Sequence, residues 1–307
     1  MEPEEGELLR LAGADRVMTS LLAADMLMKE MGVEKFEAVI LASAMNFPDA
    51  LSGSYLAAVK NAPIILTGKG HEAKVNAYIT ENLAPGGQIY VLGGEMAVPS
   101  ALLEGLTGVK RVAGKDRYET NLAILKEAVV SGNEVLVCTA TNFPDSLSAA
   151  AVGKPILLVG SELTAEQEAY LQLLGEKNFY IIGGTSAISR KVEYALQAYG
   201  GTMRIAGNDR YETSIKIAKQ FFAEADAAIL AYGKNYPDGL CGGALAVAMG
   251  APVILVENSH VDYAVDYVRS RELQSGYVLG GIILLSDATV RTIWNLAEDA
   301  EITELSK

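Results

Sequence analysis

The chain has 307 residues, half of them apolar, with a formal net charge of −13, two cysteines and two histidines. The length suits two or three domains that each bury a core. The acidity argues against a nucleic-acid partner and against diffuse electrostatic capture of any polyanion, so an anionic partner would have to be held by local groups.

An eleven-residue stretch sets the organisation. It reads Arg10-Leu-Ala-Gly-Ala-Asp-Arg-Val-Met-Thr-Ser20, then Arg111-Val-Ala-Gly-Lys-Asp-Arg-Tyr-Glu-Thr-Asn121, then Arg204-Ile-Ala-Gly-Asn-Asp-Arg-Tyr-Glu-Thr-Ser214. The chain is therefore one unit written three times, with boundaries expected at 1–109, 110–202 and 203–307. In each copy a short strand ends at a turn glycine. Asp15, Asp116 or Asp209 then stands where a helix N-cap belongs, and Glu119 and Glu212 complete a capping-box spacing. Met18 replaces that glutamate in the first copy. Apolar residues follow at helical intervals: Leu21, Ala24 and Met28; Leu122, Leu125 and Val129; Ile215, Ala218 and Phe222.

The rest of each unit repeats in order. An apolar run (38–44, 135–141, 227–233) leads to Asn46-Phe-Pro-Asp49, Asn142-Phe-Pro-Asp145 or Asn235-Tyr-Pro-Asp238. A helix rich in small residues comes next, then a second run holding Ile64-Ile65-Leu66, Ile156-Leu157-Leu158 or Val253-Ile254-Leu255. After an amphipathic helix, a third run ends in Gly93-Gly94, Gly183-Gly184 or Gly280-Gly281. Continuously apolar, β-branched runs alternating with helices predict parallel strands covered on both faces. Each unit thus reads as a three-layer α/β module with a mainly parallel sheet. Near-identical units favour a ring with pseudo-threefold symmetry over an open row. Whether the amino-terminal Arg-Leu-Ala-Gly strand pairs within its own unit or completes another is open at this stage.

Three groups of residues are candidate sites. Asn46 and Asp49, Asn142 and Asp145, and Asn235 and Asp238 follow a strand end and open a helix. They suit sugar hydroxyls, although proline and aspartate in a first turn also serve simply to start a helix. Arg16, Arg117 and Arg210 could each grip an anion with two bonds, or form structural ion pairs with the Pro-Asp carboxylates of the same or an adjacent unit. Gly94, Gly184 and Gly281 stand in strand-to-helix turns that could present N–H groups to an anion or be plain tight turns. No metal-ligand spacing, dinucleotide fingerprint, P-loop or nucleophile elbow is present, and no cofactor is expected. Cys138 and Cys241 are not repeat equivalents and read as free core residues. The longest uncharged nonpolar run, Leu240–Val256, is 17 residues and contains Pro252, too short and broken for a membrane span. Met1-Glu-Pro-Glu-Glu is no signal peptide.

The ordered, threefold set of Arg-Ile-Ala-Gly-x-Asp-Arg-Tyr-Glu-Thr, Phe-Pro-Asp-x-Leu, Pro-Ile-Leu-Leu and Ile-x-Gly-Gly resembles the type 2 cell-wall-binding repeat family of Gram-positive surface proteins, over nearly the whole chain. The resemblance implies three tandem modules packed as a pseudo-trimer and a non-catalytic role at the cell surface. It implies non-covalent anchoring to an anionic cell-wall glycopolymer, with an effector domain on the same full-length protein. In that family the Ile-Leu-Leu segment is regarded as important for polymer binding. Here its residues read as a buried strand, and ligand contact is assigned to exposed groups at the strand's end. Two other functions remain alternatives: a phosphate- or nucleotide-using α/β enzyme, and a scaffold for protein assembly.

Overall fold

The computed structural model describes residues 7–142, 144–235 and 237–307; Phe143 and Tyr236, the aromatic residues of two Pro-Asp motifs, lie outside the described residues. In chain order the first unit supplies β1 (Leu8–Leu11), α1 (Arg16–Glu30), β2 (Phe36–Ser43), α2 (Pro48–Lys60), β3 (Ile64–Thr67), α3 (Glu72–Asn82) and β4 (Leu83–Leu92). The second supplies β5 (Val109–Val112), α4 (Arg117–Ala128), β6 (Glu134–Thr139), α5 (Pro144–Ala150), β7 (Ile156–Val159), α6 (Ala165–Leu174), β8 (Lys177–Ile182) and α7 (Arg190–Leu196). The third supplies β9 (Gly200–Ile205), α8 (Arg210–Phe221), β10 (Ala227–Tyr232), α9 (Pro237–Met249), β11 (Val253–Val256), α10 (Asp262–Ser270), β12 (Ser275–Leu279), α11 (Asp287–Trp294) and a short β13 (Thr303–Leu305).

The strands form three parallel sheets with orders β3-β2-β4-β5, β7-β6-β8-β9 and β11-β10-β12-β1-β13. The Arg-x-Ala-Gly strand never pairs within its own sequence unit. β5 lies on β4 (Ile89 opposite Val109, Leu92 opposite Val112), and β9 lies on β8. β1 closes the circle on β12, with Leu8 opposite Gly276 and Leu11 opposite Leu279. The amino-terminal strand therefore completes the third sheet, and each junction is held by backbone hydrogen bonds. The helices repeat this exchange. α4 packs on α2, α8 on α5 and α1 on α9, while α2, α5 and α9 meet one another around the pseudo-threefold axis. Small side chains permit that approach: a Cβ added at Gly243 would come within 3.3 Å of Ala150.

The Ile-Leu-Leu runs are β3, β7 and β11, each an edge strand and each wholly buried. A buried edge leaves backbone N–H groups that need partners. The last residue of the eleven-residue stretch provides one. Leu66 N donates to Ser20 Oγ at 3.0 Å, Leu158 N to Asn121 Oδ1 at 3.0 Å and Leu255 N to Ser214 Oγ at 3.1 Å. Ile-Leu-Leu is thus scaffold, pinned by the helix before it.

The helix starts follow the capping pattern with one difference. Asp116 Oδ1 accepts from Tyr118 N and Glu119 N, and Asp209 Oδ1 from Glu212 N. The glutamates reach one residue further back than in an ordinary capping box, to Lys115 N (3.1 Å) and Asn208 N (2.6 Å). The first unit, with Met18, has no such acceptor. Its Ala14 N donates instead to Lys307 O at 3.4 Å, because the C-terminal strand β13 lies along β1. Val129, placed by its spacing on the buried face of α4, is exposed. The helix stops at Ala128 and Val129 takes a left-handed φ of 55°.

Candidate functional site

All twelve residues singled out from the three motifs line three equivalent clefts, one at each junction between units. The cleft between units one and two, about 350 Å³, is lined by Asn46, Asp49 and Gly94 on one side and Arg117 on the other. The cleft between units two and three, about 440 Å³, joins Asn142, Asp145 and Gly184 to Arg210. The cleft that closes the ring, about 670 Å³, joins Asn235, Asp238 and Gly281 to Arg16. The three motifs are therefore one composite site, built at strand carboxyl ends from two units at a time.

The aspartate organises each cleft. Pro48, Pro144 and Pro237 open their helices as expected, and the following aspartate lies in the first turn. Its carboxylate packs onto the first glycine of the Gly-Gly pair. A Cβ added at Gly93 would collide with Asp49 Oδ2, while one at Gly183 would stand 2.5 Å from Asp145 Oδ2 and one at Gly280 2.9 Å from Asp238 Oδ2. These first glycines have φ of 89°, 101° and 94°, a region that disfavours any side chain. The second glycines are open: a Cβ at Gly94 or Gly281 would meet nothing within 4 Å. The first glycine thus shapes the turn and the second faces solvent.

Burial pushes Asp49, Asp145 and Asp238 above the usual carboxylate range, and the arginine of the next unit pulls each back: Arg117, Arg210 and Arg16 respectively. Asp145 and Asp238 are also held down by the hydroxyls of Thr213 and Thr19. Each arginine is simultaneously tied to its own unit. Arg16 Nη1 donates to Ala44 O at 2.9 Å, Arg117 Nη1 to Ala140 O at 2.6 Å and Arg210 Nη1 to Gly233 O at 2.7 Å. One guanidinium therefore bridges the end of its own central strand and the carboxylate across the junction.

Two sets of residues that were not singled out complete the frame. The opening arginine of each stretch crosses the junction to the first glycine's carbonyl: Arg10 to Gly280 O (2.9 Å), Arg111 to Gly93 O (2.9 Å) and Arg204 to Gly183 O (2.7 Å). Each also pairs with an acid: Asp287, Glu95 or Glu193. The threonines Thr19, Thr120 and Thr213 accept from Gly13 N, Gly114 N and Gly207 N at 3.0–3.2 Å. Their threefold recurrence was the available signal. Ser186 and Asn208 in the middle cleft carried none, because their counterparts differ from unit to unit.

The third unit adds a network of its own. Glu257 stands where the other units have Gly68 and Gly160 and accepts from Lys234 Nζ (2.5 Å), Tyr211 Oη (2.5 Å) and Ser259 Oγ (2.9 Å). These bonds, Lys234's foremost, bring its carboxyl down to about 2. Cys138 and Cys241 are free and buried. Burial pushes the Cys138 thiol up to about 12 and raises that of Cys241, so neither is a ready nucleophile. Among the described residues no three His, Cys, Asp or Glu side chains gather as a metal site, and no helix is long and apolar enough to cross a membrane.

The model of cell wall binding domain 2 matches the chain three times, over residues 10–103, 111–193 and 204–290. The chain belongs to the cell wall binding domain 2 family. It is 30% identical to the amidase enhancer of Bacillus subtilis (strain 168) over 262 residues, 83% of this chain and 35% of that protein. It is 29% identical to N-acetylmuramoyl-L-alanine amidase LytC of the same organism over 211 residues, 66% of this chain and 41% of that one. Among solved structures, Cwp8 from Clostridium difficile superposes with a TM-score of 0.83 at 28% identity, covering 95% of this chain and 52% of that one. Cwp6 from Clostridium difficile shares the fold, with a TM-score of 0.81 at 22% identity over 98% of this chain and 50% of that one. The chain thus spans between about a third and a half of the proteins it matches. The three modules packed about a pseudo-threefold axis are those of a cell wall binding domain 2 protein.

Proposed function

We propose that the chain is a non-catalytic module that holds a larger surface protein to an anionic secondary polymer of a Gram-positive cell wall, outside the cell, while any effector activity resides elsewhere on the full-length protein. The observation that carries this reading is the threefold recurrence of one polar cleft at the junctions of a closed ring. A repeating polymer can engage equivalent clefts in succession, and each contact after the first forms at high effective concentration. An enzyme has little use for three copies of one site in a chain. The units of duplication proposed are residues 1–109, 110–202 and 203–307, with one strand of each donated to the preceding sheet.

The test is co-sedimentation of the protein with purified walls, before and after acid extraction of their phosphate-bearing polymer. Retention on intact walls and release from extracted walls is the expected result. Equal retention on both would remove the anionic polymer from the proposal, and no retention on intact walls would remove wall anchoring itself.

A further inference from the structure

The three clefts share a frame but not a lining. Each holds one more carboxylate than it has cations. The first sets Asp49, Glu95 and Asp116 against Lys115 and Arg117; the second sets Asp145 and Asp209 against Arg210; the third sets Asp15, Asp238 and Glu304 against Arg16 and Lys307. The arginines already bridge a backbone carbonyl and a half-buried aspartate. A phosphate or uronate entering a cleft would meet these carboxylates within a chain of net charge −13. Protonating the half-buried aspartate would leave the first and third clefts with equal numbers of acids and cations, and the second with Asp209 opposite Arg210.

The middle cleft is the richest of the three in hydroxyls and amides. Thr139, Thr141, Asn142, Ser186, Asn208 and Thr213 line it with hydroxyls and amides. The Ser186 hydroxyl is exposed with no partner among the described residues, and the Asn208 amide is exposed beside the Glu212 carboxylate, to which it also bonds. The residues at the Ser186 position in the other units are Met96 and Ile283, 101% and 93% exposed. At the Asn208 position the first cleft has Lys115, paired with Glu119, and the third has Ala14.

We propose that the middle cleft seats an uncharged sugar unit of the wall glycan, and that the polymer's anionic groups stay outside it. Hydroxyls and amides that both donate and accept match sugar hydroxyls, and the cleft's volume suits a small ligand. This inference rests on the wall-polymer reading and specifies which part of the polymer is recognised.

The test uses the full chain, isotopically labelled, and follows amide chemical shifts. The probes are the neutral oligosaccharide repeat released from the wall polymer by hydrofluoric acid, and inorganic phosphate. The neutral repeat should shift amides around Thr141, Ser186 and Asn208, with an affinity that changes less than about twofold between about 50 and about 500 mM salt. Phosphate should leave these amides unmoved. Ser186→Met with Asn208→Lys, which installs the first cleft's residues at two exposed positions, should lower affinity about tenfold or more. Competition by phosphate, a tenfold loss with salt, or an unaffected double variant would overturn the proposal. If walls retain the protein but the neutral repeat does not bind at this cleft, this inference fails alone. If walls do not retain the protein, the underlying reading fails with it.

Discussion

Replacing Arg111 by alanine should destabilise the fold less than the same change at Arg10 or Arg204, although all three arginines make the same cross-junction contact. The Arg10 side chain is 1% exposed, donates to Gly280 O at 2.9 Å and pairs at 2.8 Å with Asp287, whose own side chain is 37% exposed. Arg204 is 17% exposed, donates to Gly183 O at 2.7 Å and pairs at 2.7 Å with Glu193, itself largely buried. Arg111 is 25% exposed, and its partner Glu95, at 3.1 Å, stands mostly in solvent. Removing one partner of a buried, hydrogen-bonded pair costs about 3–5 kcal/mol. An exposed pair contributes only about 0–1 kcal/mol, to which the bond to Gly93 O adds about 1–2 kcal/mol. Losses of about 3–5 kcal/mol at Arg204, towards the lower end of that range at Arg10, whose partner Asp287 stays hydrated, and about 1–3 kcal/mol at Arg111 follow. Arg10→Met should recover part of the Arg10 loss, since it keeps an apolar stem and removes the buried Nε that has no partner. The assay is equilibrium unfolding in urea, followed by far-ultraviolet circular dichroism and by fluorescence of the single tryptophan, Trp294, which packs in the third unit that Arg10 closes. Coincidence of the two probes tests whether the ring unfolds as one. An Arg111 loss equal to or above the other two would refute burial as the source of the ranking.

The C-terminal strand supplies a second prediction. Deleting residues 303–307 removes the acceptors of Ala12 N and Ala14 N and should cost about 1–3 kcal/mol. Met18→Glu in the shortened chain should recover part of this, as Glu119 and Glu212 do for their own units, but should not help in the intact chain, where Met18 is buried; no recovery in urea midpoints would refute the substitution of tail for glutamate. A third prediction concerns pH. Burial raises Asp49, Asp145 and Asp238, so the folded state binds more protons than the unfolded one between the two values. Stability on their account is greatest below the unfolded value and falls as pH rises through the folded one. Calorimetric scans should show wild type gaining on a triple Asp→Asn variant as pH drops from about 7 towards 4. Glu257 has the opposite sign. Its contribution is full above 4.5 and lost towards about 2, so the deficit of Glu257→Gln should shrink over that interval. A constant difference in either comparison would contradict the linkage.

Much of the architecture was legible because repetition amplifies weak local signals. An Asp-Arg dipeptide or a glycine pair means little once. Three occurrences in one order marked the units, the helix starts and the strand ends, and the buried state of Ile-Leu-Leu followed from continuous β-branched residues. What differed between units was the least legible. Glu257 took the place of a glycine and built a network around Lys234 and Tyr211, and the tail stood in for the missing cap glutamate. Neither follows from a pattern, because each depends on residues brought together from distant parts of the chain. Val129 shows the related limit at a helix end, where a periodic apolar position fell one residue beyond the last turn.

By itself the sequence determined the local chemistry: which segments are strands and helices, where aspartate and proline start a helix, and which residue types recur at each motif. These depend on backbone preference, side-chain period and capping over a few residues. Only the tertiary structure decided which copy of a motif meets which. Each Arg-x-Ala-Gly strand pairs with the preceding sheet and β1 with the third, so Asp49 faces Arg117, Asp145 faces Arg210 and Asp238 faces Arg16. Equivalent residues offer equivalent partners within a unit or across a junction. Only closure of the ring, which lays each Arg-x-Ala-Gly strand on the preceding sheet and packs α2, α5 and α9 against one another, selects between them.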